Sequence, residues 1–218
     1  MSLVGIAPVV RANFPSLDLR ACVLAGLRVT RAPVASEDAL ADVRAKRTLE
    51  GLRDDPLFRA YRDFYWRLGI DPTKQRPSGE ALNRRVLQGK ELPQINAFVD
   101  AYNLASLETG VPIAAFDAGR LEGGVELRFA RAGEDFVSIG QDQREVLQGH
   151  ELVVADAARV IAFYPHRDSD ATKVTDATTD VLLVACGAPG VPTEALDDAL
   201  ARAVGRVVGA CGGAVVAR

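Results

Sequence analysis

The sequence has few of the side chains on which most metal and nucleophile sites depend. Its three cysteines, Cys22, Cys186 and Cys211, are widely spaced in apolar runs, and His150 and His166 are its only histidines. Neither residue type forms a cluster at metal-ligand spacing, and no histidine lies beside a cysteine. We therefore expect no metal site and no catalytic thiol. An odd number of cysteines in apolar runs also predicts reduced, buried thiols in a cytoplasmic protein.

Cofactor and membrane signatures are missing as well. The chain has no phosphate-binding Gly-rich loop, no dinucleotide fingerprint and no nucleophile elbow, so no bound cofactor is expected. No apolar run approaches the ~18 residues of a spanning helix, and the apolar N-terminus lacks the pattern of a signal peptide. With 48% apolar and 25% charged residues, the 218-residue chain is predicted to fold as a globular protein without a membrane span.

Charge is distributed unevenly along the chain. The net charge of −3 by itself argues against a protein built to bind nucleic acid, and no DNA partner is expected. Residues 44–90 nevertheless contain twelve Lys and Arg against six Asp and Glu, so this segment is basic and the rest of the chain is acidic. Such a segment could present a phosphate-facing surface to tRNA, or it could be the solvated face of Arg-rich helices.

The hydrophobic pattern changes from helical to strand-like along the chain. Strands are predicted at residues 4–10 and 19–29, and helices after a cap at Ser36, at residues 57–68, at 78–87 with Ser78 as cap, and after Pro93. Short strands should follow at residues 113–116, 125–130, 136–139, 152–154, 159–164 and 181–186, with residues 131–135 forming a hairpin between the second and third. A last helix capped by Thr193 and a strand at residues 214–217 complete the prediction. Segregated strands and helices indicate an α+β fold.

The predicted helix after Pro93 carries an unusual polar band. Asn96, Asp100 and Asn103 lie together at the edge of its apolar stripe, where Lys, Glu or Gln would be more usual. Short amides and a carboxylate beside the core indicate a binding pocket. The alternative is that these side chains satisfy neighbouring loop backbone and contact no ligand.

A second group of charged residues follows Tyr164 in the sequence. Arg167, Asp168 and Lys173 are predicted to lie in a loop between two strands, and binding groups are often carried on such loops. The alternative is a solvated crossing loop.

Two blocks of the sequence resemble a known family. Val99-Asp100-x-x-Asn103, followed by Gly110-x-Pro112-x-x-x-Phe116-Asp117, is similar to the B3/B4 domain of the bacterial phenylalanyl-tRNA synthetase beta subunit. The stretch Asp176-Ala177-Thr178-Thr179-Asp180-Val181-Leu182-Leu183 is similar to a second block of that domain, with the order D-x-T-x-x-V-L-L. The segments that begin at Arg76 and at Arg167 look like the free-standing relatives of the domain. The resemblance therefore spans residues 76–218.

The resemblance implies B3/B4-like sheet layers with helices packed on one side. Residues 1–218 would form a single domain, in which residues 1–75 are a family-variable elaboration of strands and helices. In the synthetase the resembling domain is the editing module, which hydrolyses tyrosine wrongly esterified to the phenylalanine tRNA. The chain is thus expected to act in trans on aminoacyl-tRNA or on a related amino-acid derivative. The alternative is a non-catalytic RNA- or small-ligand-binding module that has lost editing.

The expected site combines these groups. Glu80 or Asp168 would orient water as a general base. Asn96 and Asn103 would orient the ligand carbonyl or amine, and Asp100 would fix their geometry or hold an ammonium. Arg76, Arg167 and Lys173 would bind a carboxylate, phosphate or oxyanion. Thr178 would also contact the substrate, and we expect Asp100, Asn103 and Asp117 to lie near it on one wall of the site.

Three positions depart from the resembled pattern. Ala114 stands where the bacterial synthetases have a His that positions the hydrolytic end, and Val184 stands where they have a Glu that reads the tyrosine hydroxyl. Tyr102 replaces a Thr and would fill part of the pocket if it points inward. A valine cannot pair with a phenol as a buried Glu does, so tyrosine-specific editing is not expected.

Overall fold

The computed structural model describes residues 3–218. This part of the chain contains the helices α1 (Pro8–Asn13), α2 (Glu37–Lys46), α3 (Gly51–Asp54), α4 (Pro56–Arg67), α5 (Ser78–Leu87), α6 (Ala97–Thr109) and α7 (Thr193–Cys211). Its strands are β1 (Val4–Ile6), β2 (Leu19–Ala25), β3 (Ile113–Asp117), β4 (Val125–Phe129), β5 (Asp135–Phe136), β6 (Glu145–Val146), β7 (Leu152–Ala155), β8 (Val160–Phe163), β9 (Arg167–Asp168), β10 (Val181–Cys186) and β11 (Ala214–Ala217). Short 3-10 helices follow β3 and β9, at Ala118–Arg120 and Asp170–Thr172.

The longer strands form two sheets. A four-stranded antiparallel sheet has the order β11-β2-β10-β3, and a five-stranded mixed sheet has the order β1-β4-β7-β8-β9 with one parallel pair, β1 and β4. A small separate ribbon pairs β5 with β6. The first 25 residues supply β1 to one sheet and β2 to the other. The predicted α+β class is confirmed, while the division of the chain at residue 75 stays a prediction.

The core explains why α6 and β10 hold fixed positions. Every residue of β10 is buried, and α6 packs along α7, which in turn contacts β2 and β10. The largest hydrophobic cluster joins residues of both sheets with residues of α4, α6 and α7. Within it Tyr61 of α4 donates a hydrogen bond of 2.8 Å to the carbonyl of Cys186, which ties that helix to the end of β10.

Several local predictions were wrong. The strand predicted at residues 4–10 ends at Ile6, because Pro8 is the first residue of α1 and proline has no N–H to give to a sheet. The hairpin at residues 131–135 does not form, because β4 pairs with β1 and β7 while β5 pairs with β6. Ser78 and Thr193 are first helical residues after a proline, and neither side chain makes a capping hydrogen bond.

Candidate functional site

A cavity of about 610 Å³ opens where the start of α6 meets the end of the five-stranded sheet. We call it the Asp168 cavity. Its walls come from α6, from β3 and β9, and from the loop between β9 and β10. Its lining residues are Arg31, Ile95, Asn96, Val99, Tyr102, Ala115, Ile139, Asp168, Lys173, Val174, Thr175, Asp176 and Ala177.

Asp168 is the most unusual group in this cavity. It lies half-buried in the two-residue strand β9, whose pairing with β8 fixes its backbone. Its carboxylate has no hydrogen bond or ion pair with any other residue in the range 3–218. Loss of water around this carboxylate raises its pKa from 3.8 to about 7. An unpaired carboxyl group with such a pKa can accept or donate a proton near neutral pH.

The two polar atoms of the Asn96 side chain have different roles. Its side-chain oxygen accepts a hydrogen bond of 2.9 Å from the Val99 amide, so Asn96 is the N-cap of α6. Its side-chain amide nitrogen has no partner within the described residues, although the residue is only 6% exposed. The oxygen therefore serves the helix, and the nitrogen remains available to a ligand in the cavity.

Tyr102 places an aromatic ring and a hydroxyl group in the same cavity. Its ring packs edge-on against Phe98 at 5.7 Å between centroids. Burial and the charges of Asp168 and Asp100 raise the pKa of Tyr102, so its hydroxyl stays protonated and can donate a hydrogen bond. Tyr102, one of the three positions that depart from the resembled pattern, thus lines the cavity.

Thr178 lies behind the loop wall of the cavity. Its hydroxyl donates to the Asp117 carboxylate at 2.7 Å and accepts from the Thr175 amide at 2.9 Å. Asp117 also accepts from the Gly119 amide at 3.0 Å. Thr178 is buried, so this network connects β3 to the loop and positions Thr175 without exposing Thr178 to the cavity.

Lys173 and Arg31 bring positive charge to the cavity. Lys173 forms an ion pair with Asp170 at 2.6 Å, and Arg31 forms one with Asp176 at 3.0 Å. Both pairs are partly exposed, so they contribute little to stability and can exchange partners with an anion. Of the charged group predicted after Tyr164, Asp168 and Lys173 therefore line the cavity, while Arg167 does not.

Asp100 and Asn103 line a neighbouring pocket of about 240 Å³, formed with residues 91–94 and part of the segment before α2. The Asp100 carboxylate accepts a hydrogen bond of 2.9 Å from the Ile95 amide, and desolvation raises its pKa. The polar band of α6 is thus divided, because Asn96 faces the Asp168 cavity and the other two residues face the second pocket. Asn96 and Asp100 also hold the loop backbone at the start of α6.

The remaining predicted residues lie outside both sites. Glu80 is buried in α5 and forms an ion pair of 3.2 Å with Arg62. Arg167 is on the other side of β9 from the Asp168 cavity, where it pairs with Glu145 at 2.5 Å and covers the Phe163 ring at 4.6 Å. Arg76 lines a shallow groove on the surface of α5.

Two exposed apolar residues at the cavity were not predicted as site residues from the sequence. Ile95 is 52% exposed and Ile139 is 50% exposed, which is unusual for isoleucine. Helical periodicity after Pro93 predicts Ile95 in the apolar stripe of α6, but Ile95 precedes the helix cap Asn96. No sequence signal marks Ile139, because its position depends on a bend between β5 and β6 and on the backbone hydrogen bond from Ile139 to Asp168.

The two departures Ala114 and Val184 are directly opposite each other. Val184 of β10 pairs with Ala114 of β3 in the antiparallel ladder, and the next residue, Ala115, lines the Asp168 cavity. Two positions at which the sequence departs from the resembled pattern are therefore neighbours in the sheet, and both side chains are apolar. This apolar pair leaves no polar group without a partner.

The described part of the chain also lacks metal clusters and membrane-spanning helices. Residues 3–218 contain no group of three or more His, Cys, Asp or Glu that could hold a metal ion. The same residues contain no helix that is both long and apolar enough to span a membrane.

Comparisons with known proteins agree with the architecture. The family model described as the B3/4 domain matches residues 60–210. Similar curated sequences include the phenylalanine–tRNA ligase beta subunits of Nocardia farcinica, 37% identical over 117 residues, and of Chromobacterium violaceum, 38% identical over 100 residues. The matches cover 54% and 46% of this chain but only 14% and 13% of those subunits.

One solved structure shows the same fold over nearly the whole chain. It is an N-terminal fragment of the phenylalanyl-tRNA synthetase beta subunit from Pyrococcus horikoshii, with a TM-score of 0.51 and 15% sequence identity. The similarity covers 97% of this chain and 49% of that fragment.

Proposed function

Because this chain belongs to the B3/4 domain family, we propose that it acts in trans on aminoacyl-tRNA and hydrolyses the aminoacyl ester in the Asp168 cavity. The relatives are subunits of a tRNA ligase, which supports a tRNA-related function. The observation that carries the proposal is the unpaired carboxylate of Asp168, in a cavity that also contains Asn96 and Tyr102. The ligand is the amino-acid end of the tRNA, and no cofactor takes part in the proposed reaction.

The proposed step needs a base and hydrogen-bond donors. Asp168 takes a proton from a water molecule, and the resulting hydroxide forms a bond to the ester carbonyl carbon. The Asn96 amide and the Tyr102 hydroxyl donate to the carbonyl oxygen as it becomes negative. The bond to the ribose oxygen then breaks, and Asp168 returns its proton to that oxygen. An activated ester needs no nucleophilic side chain for this reaction, because positioning of water and stabilisation of the oxyanion suffice.

The other predicted site residues have supporting parts in this proposal. Lys173 supplies a positive charge beside the ester, and Thr178 holds the loop that carries it. Asp100 fixes the start of α6, while Asn103 faces the second pocket and Arg167 supports the outer side of β9. Glu80 is assigned no proton transfer, because Arg62 pairs with it away from the cavity.

The proposal is tested by deacylation of a panel of mischarged tRNAs. Asp168→Asn keeps the shape of the side chain but removes the base, so we expect the rate to fall by roughly 10²–10⁴-fold. Asp142→Asn is the matched control, because Asp142 is exposed and lies outside the cavity. Equal rates for wild-type protein and Asp168→Asn would contradict the assignment of Asp168.

A second candidate function is a non-catalytic module that binds tRNA or a small amino-acid-like ligand. The apolar pair Val184 and Ala114 favours it, because the resembled domain has polar groups for hydrolysis and substrate selection at these positions. Binding of aminoacyl-tRNA without deacylation of any member of the panel would favour this alternative.

We also propose that the protein is cytoplasmic. Cys22, Cys186 and Cys211 are buried free thiols, which suits a reducing compartment.

A further inference from the structure

We propose that the groove on α5 binds the phosphate backbone of the RNA whose aminoacyl end enters the Asp168 cavity. This inference rests on the proposed function and adds the surface that would hold the RNA. The groove has a volume of about 450 Å³ and lies between α5 and the segments on either side of it. We call it the α5 groove; its basic lining residues are Lys74, Arg76, Arg84, Arg85 and Lys90.

The cations of the α5 groove are not neutralised by the protein. No carboxylate lines the groove, and Arg76, Arg84, Arg85 and Lys90 form no ion pair with any acid in the described range 3–218. Arg85 donates to the Glu91 carbonyl, and Lys74 has only a long contact of 4.0 Å with Asp71. A concave surface with several unpaired cations attracts a polyanion.

Some arginines outside the α5 groove form ion pairs with acids. Arg128 pairs with Glu134 at 2.6 Å, and Arg206 pairs with Glu108. Arg44 also lacks an ion pair within residues 3–218, but the α5 groove brings four such cations together on a concave surface that no acid lines.

The dipole of α5 does not account for all the basic residues that line the α5 groove. Arg84 and Arg85 occupy the last turn of α5, where basic side chains complement the helix dipole. Arg76 precedes the helix and lies near its positive end, so it cannot have this role. Its convergence with Arg84 and Arg85 is better explained by an anion outside the protein.

The α5 groove is connected to the Asp168 cavity by a short segment. Lys90 and Pro93 line the groove, and Ile95 and Asn96 line the cavity. The six residue steps from Lys90 to Asn96 span at most about 20 Å. One RNA strand can therefore contact both sites.

The pocket between the two sites limits where phosphates can bind. It is lined by Glu91 and Asp100, which repel phosphate. The phosphate contacts are accordingly confined to the α5 groove. The exposed side chains of Ile95 and Ile139 then offer apolar contact to a base at the cavity.

The test measures binding of an uncharged tRNA over a series of salt concentrations. Arg76→Gln/Arg84→Gln removes two groove charges and keeps polar, unbranched side chains. Its matched control, Arg44→Gln/Arg59→Gln, removes two exposed cations of the same basic segment that lie outside the groove. We expect the groove variant to bind more weakly and its salt slope to fall by about 2, with little change in the control. Equal losses in both variants would overturn the inference, because they would show a diffuse charge effect.

A second assay separates the groove from the proposed catalytic function. Hydrolysis of an aminoacyl-adenosine, which lacks the RNA body, should be unaffected by the groove variant and impaired by Asp168→Asn. Binding of uncharged tRNA should show the reverse pattern. Salt-dependent tRNA binding at the groove without ester hydrolysis would refute the proposed function and leave the groove intact. Poly-glutamate binding as tight as that of tRNA would refute the assignment of the groove to RNA.

Discussion

At the scale of single residues, the titration of Asp168 links activity to pH. If Asp168 is the base, deacylation should increase as pH rises through about 7, where its carboxyl group loses its proton. The increase should disappear in Asp168→Asn, leaving only slow background hydrolysis. The measurement is the rate of deacylation over a pH range of roughly two units on either side of 7. A profile with no inflection near 7 would contradict this role.

The same carboxyl group should affect stability in the opposite direction. The folded protein keeps the Asp168 proton up to about 7, whereas the unfolded chain loses it near 3.8. Stability contributed by the neutral form is therefore full below the lower value and is lost as pH rises to the higher one. As pH rises from the lower to the higher value, the free energy of unfolding of Asp168→Asn should increase by roughly 1–3 kcal/mol relative to that of the wild-type protein. This range is smaller than the full pKa difference implies, because the cavity is open to water. Urea unfolding at several pH values measures this difference, and a constant difference would contradict it.

At the scale of elements, Asn96 joins the start of α6 to the cavity. Asn96→Ser should retain a capping oxygen and lose the amide donor, so deacylation should fall while stability changes little. Asn96→Ala loses both groups and should also destabilise the protein by about 1 kcal/mol. Chemical unfolding and deacylation of the two variants distinguish the roles. Equal deacylation by Asn96→Ser and wild-type protein would show that the amide has no part in the reaction.

The close contact between α5 and the end of α6 fixes the position of the groove relative to the cavity, and it predicts how a substitution at Gly79 affects stability. A Cβ atom at Gly79 of α5 would lie 2.1 Å from the carbonyl oxygen of Gly110, which ends α6. Gly79→Ala should therefore force the helices apart and destabilise the protein by about 3 kcal/mol or more. The control is Gly205→Ala in α7, where an added Cβ atom would meet nothing within 4 Å. This substitution should stabilise the protein by roughly 0.5–1 kcal/mol. Wild-type stability of Gly79→Ala would disprove the close contact.

The elements differ in how well the sequence predicts them. The helical stripe of α4, the long apolar face of α7 and the apolar run of β10 are strong local patterns, and the structure contains all three. The pairing of β5 with β6 was not predicted, because strand partners depend on contacts between distant residues. In the site, residue type drew attention to Asp168 and Asn96. Only tertiary packing determines that they share a cavity with Tyr102 while Asp100 and Asn103 face another pocket.

At the scale of the whole molecule, two sheets and α6 form a family fold around a changed set of polar groups. Ala114 and Val184 occupy opposite positions on β3 and β10, and the carboxylate of the Asp168 cavity comes from β9 of the other sheet. The positions that depart from the resembled pattern and the carboxylate of the cavity therefore lie on different strands.

The apolar residues at these two positions predict the amino-acid specificity. With Val184 in place of a Glu that reads a hydroxyl group, only size and apolar contact can distinguish tyrosine from phenylalanine, which corresponds to about 1–3 kcal/mol. Hydrolysis of tyrosyl and phenylalanyl esters of phenylalanine tRNA should consequently differ by no more than roughly 200-fold. The double variant Ala114→His/Val184→Glu restores the residue types of the resembled pair and should shift preference towards the tyrosyl ester. Rapid hydrolysis by wild-type protein that is strictly selective for the tyrosyl ester would refute this prediction, because a hydroxyl-reading group would then have to lie in the Asp168 cavity itself.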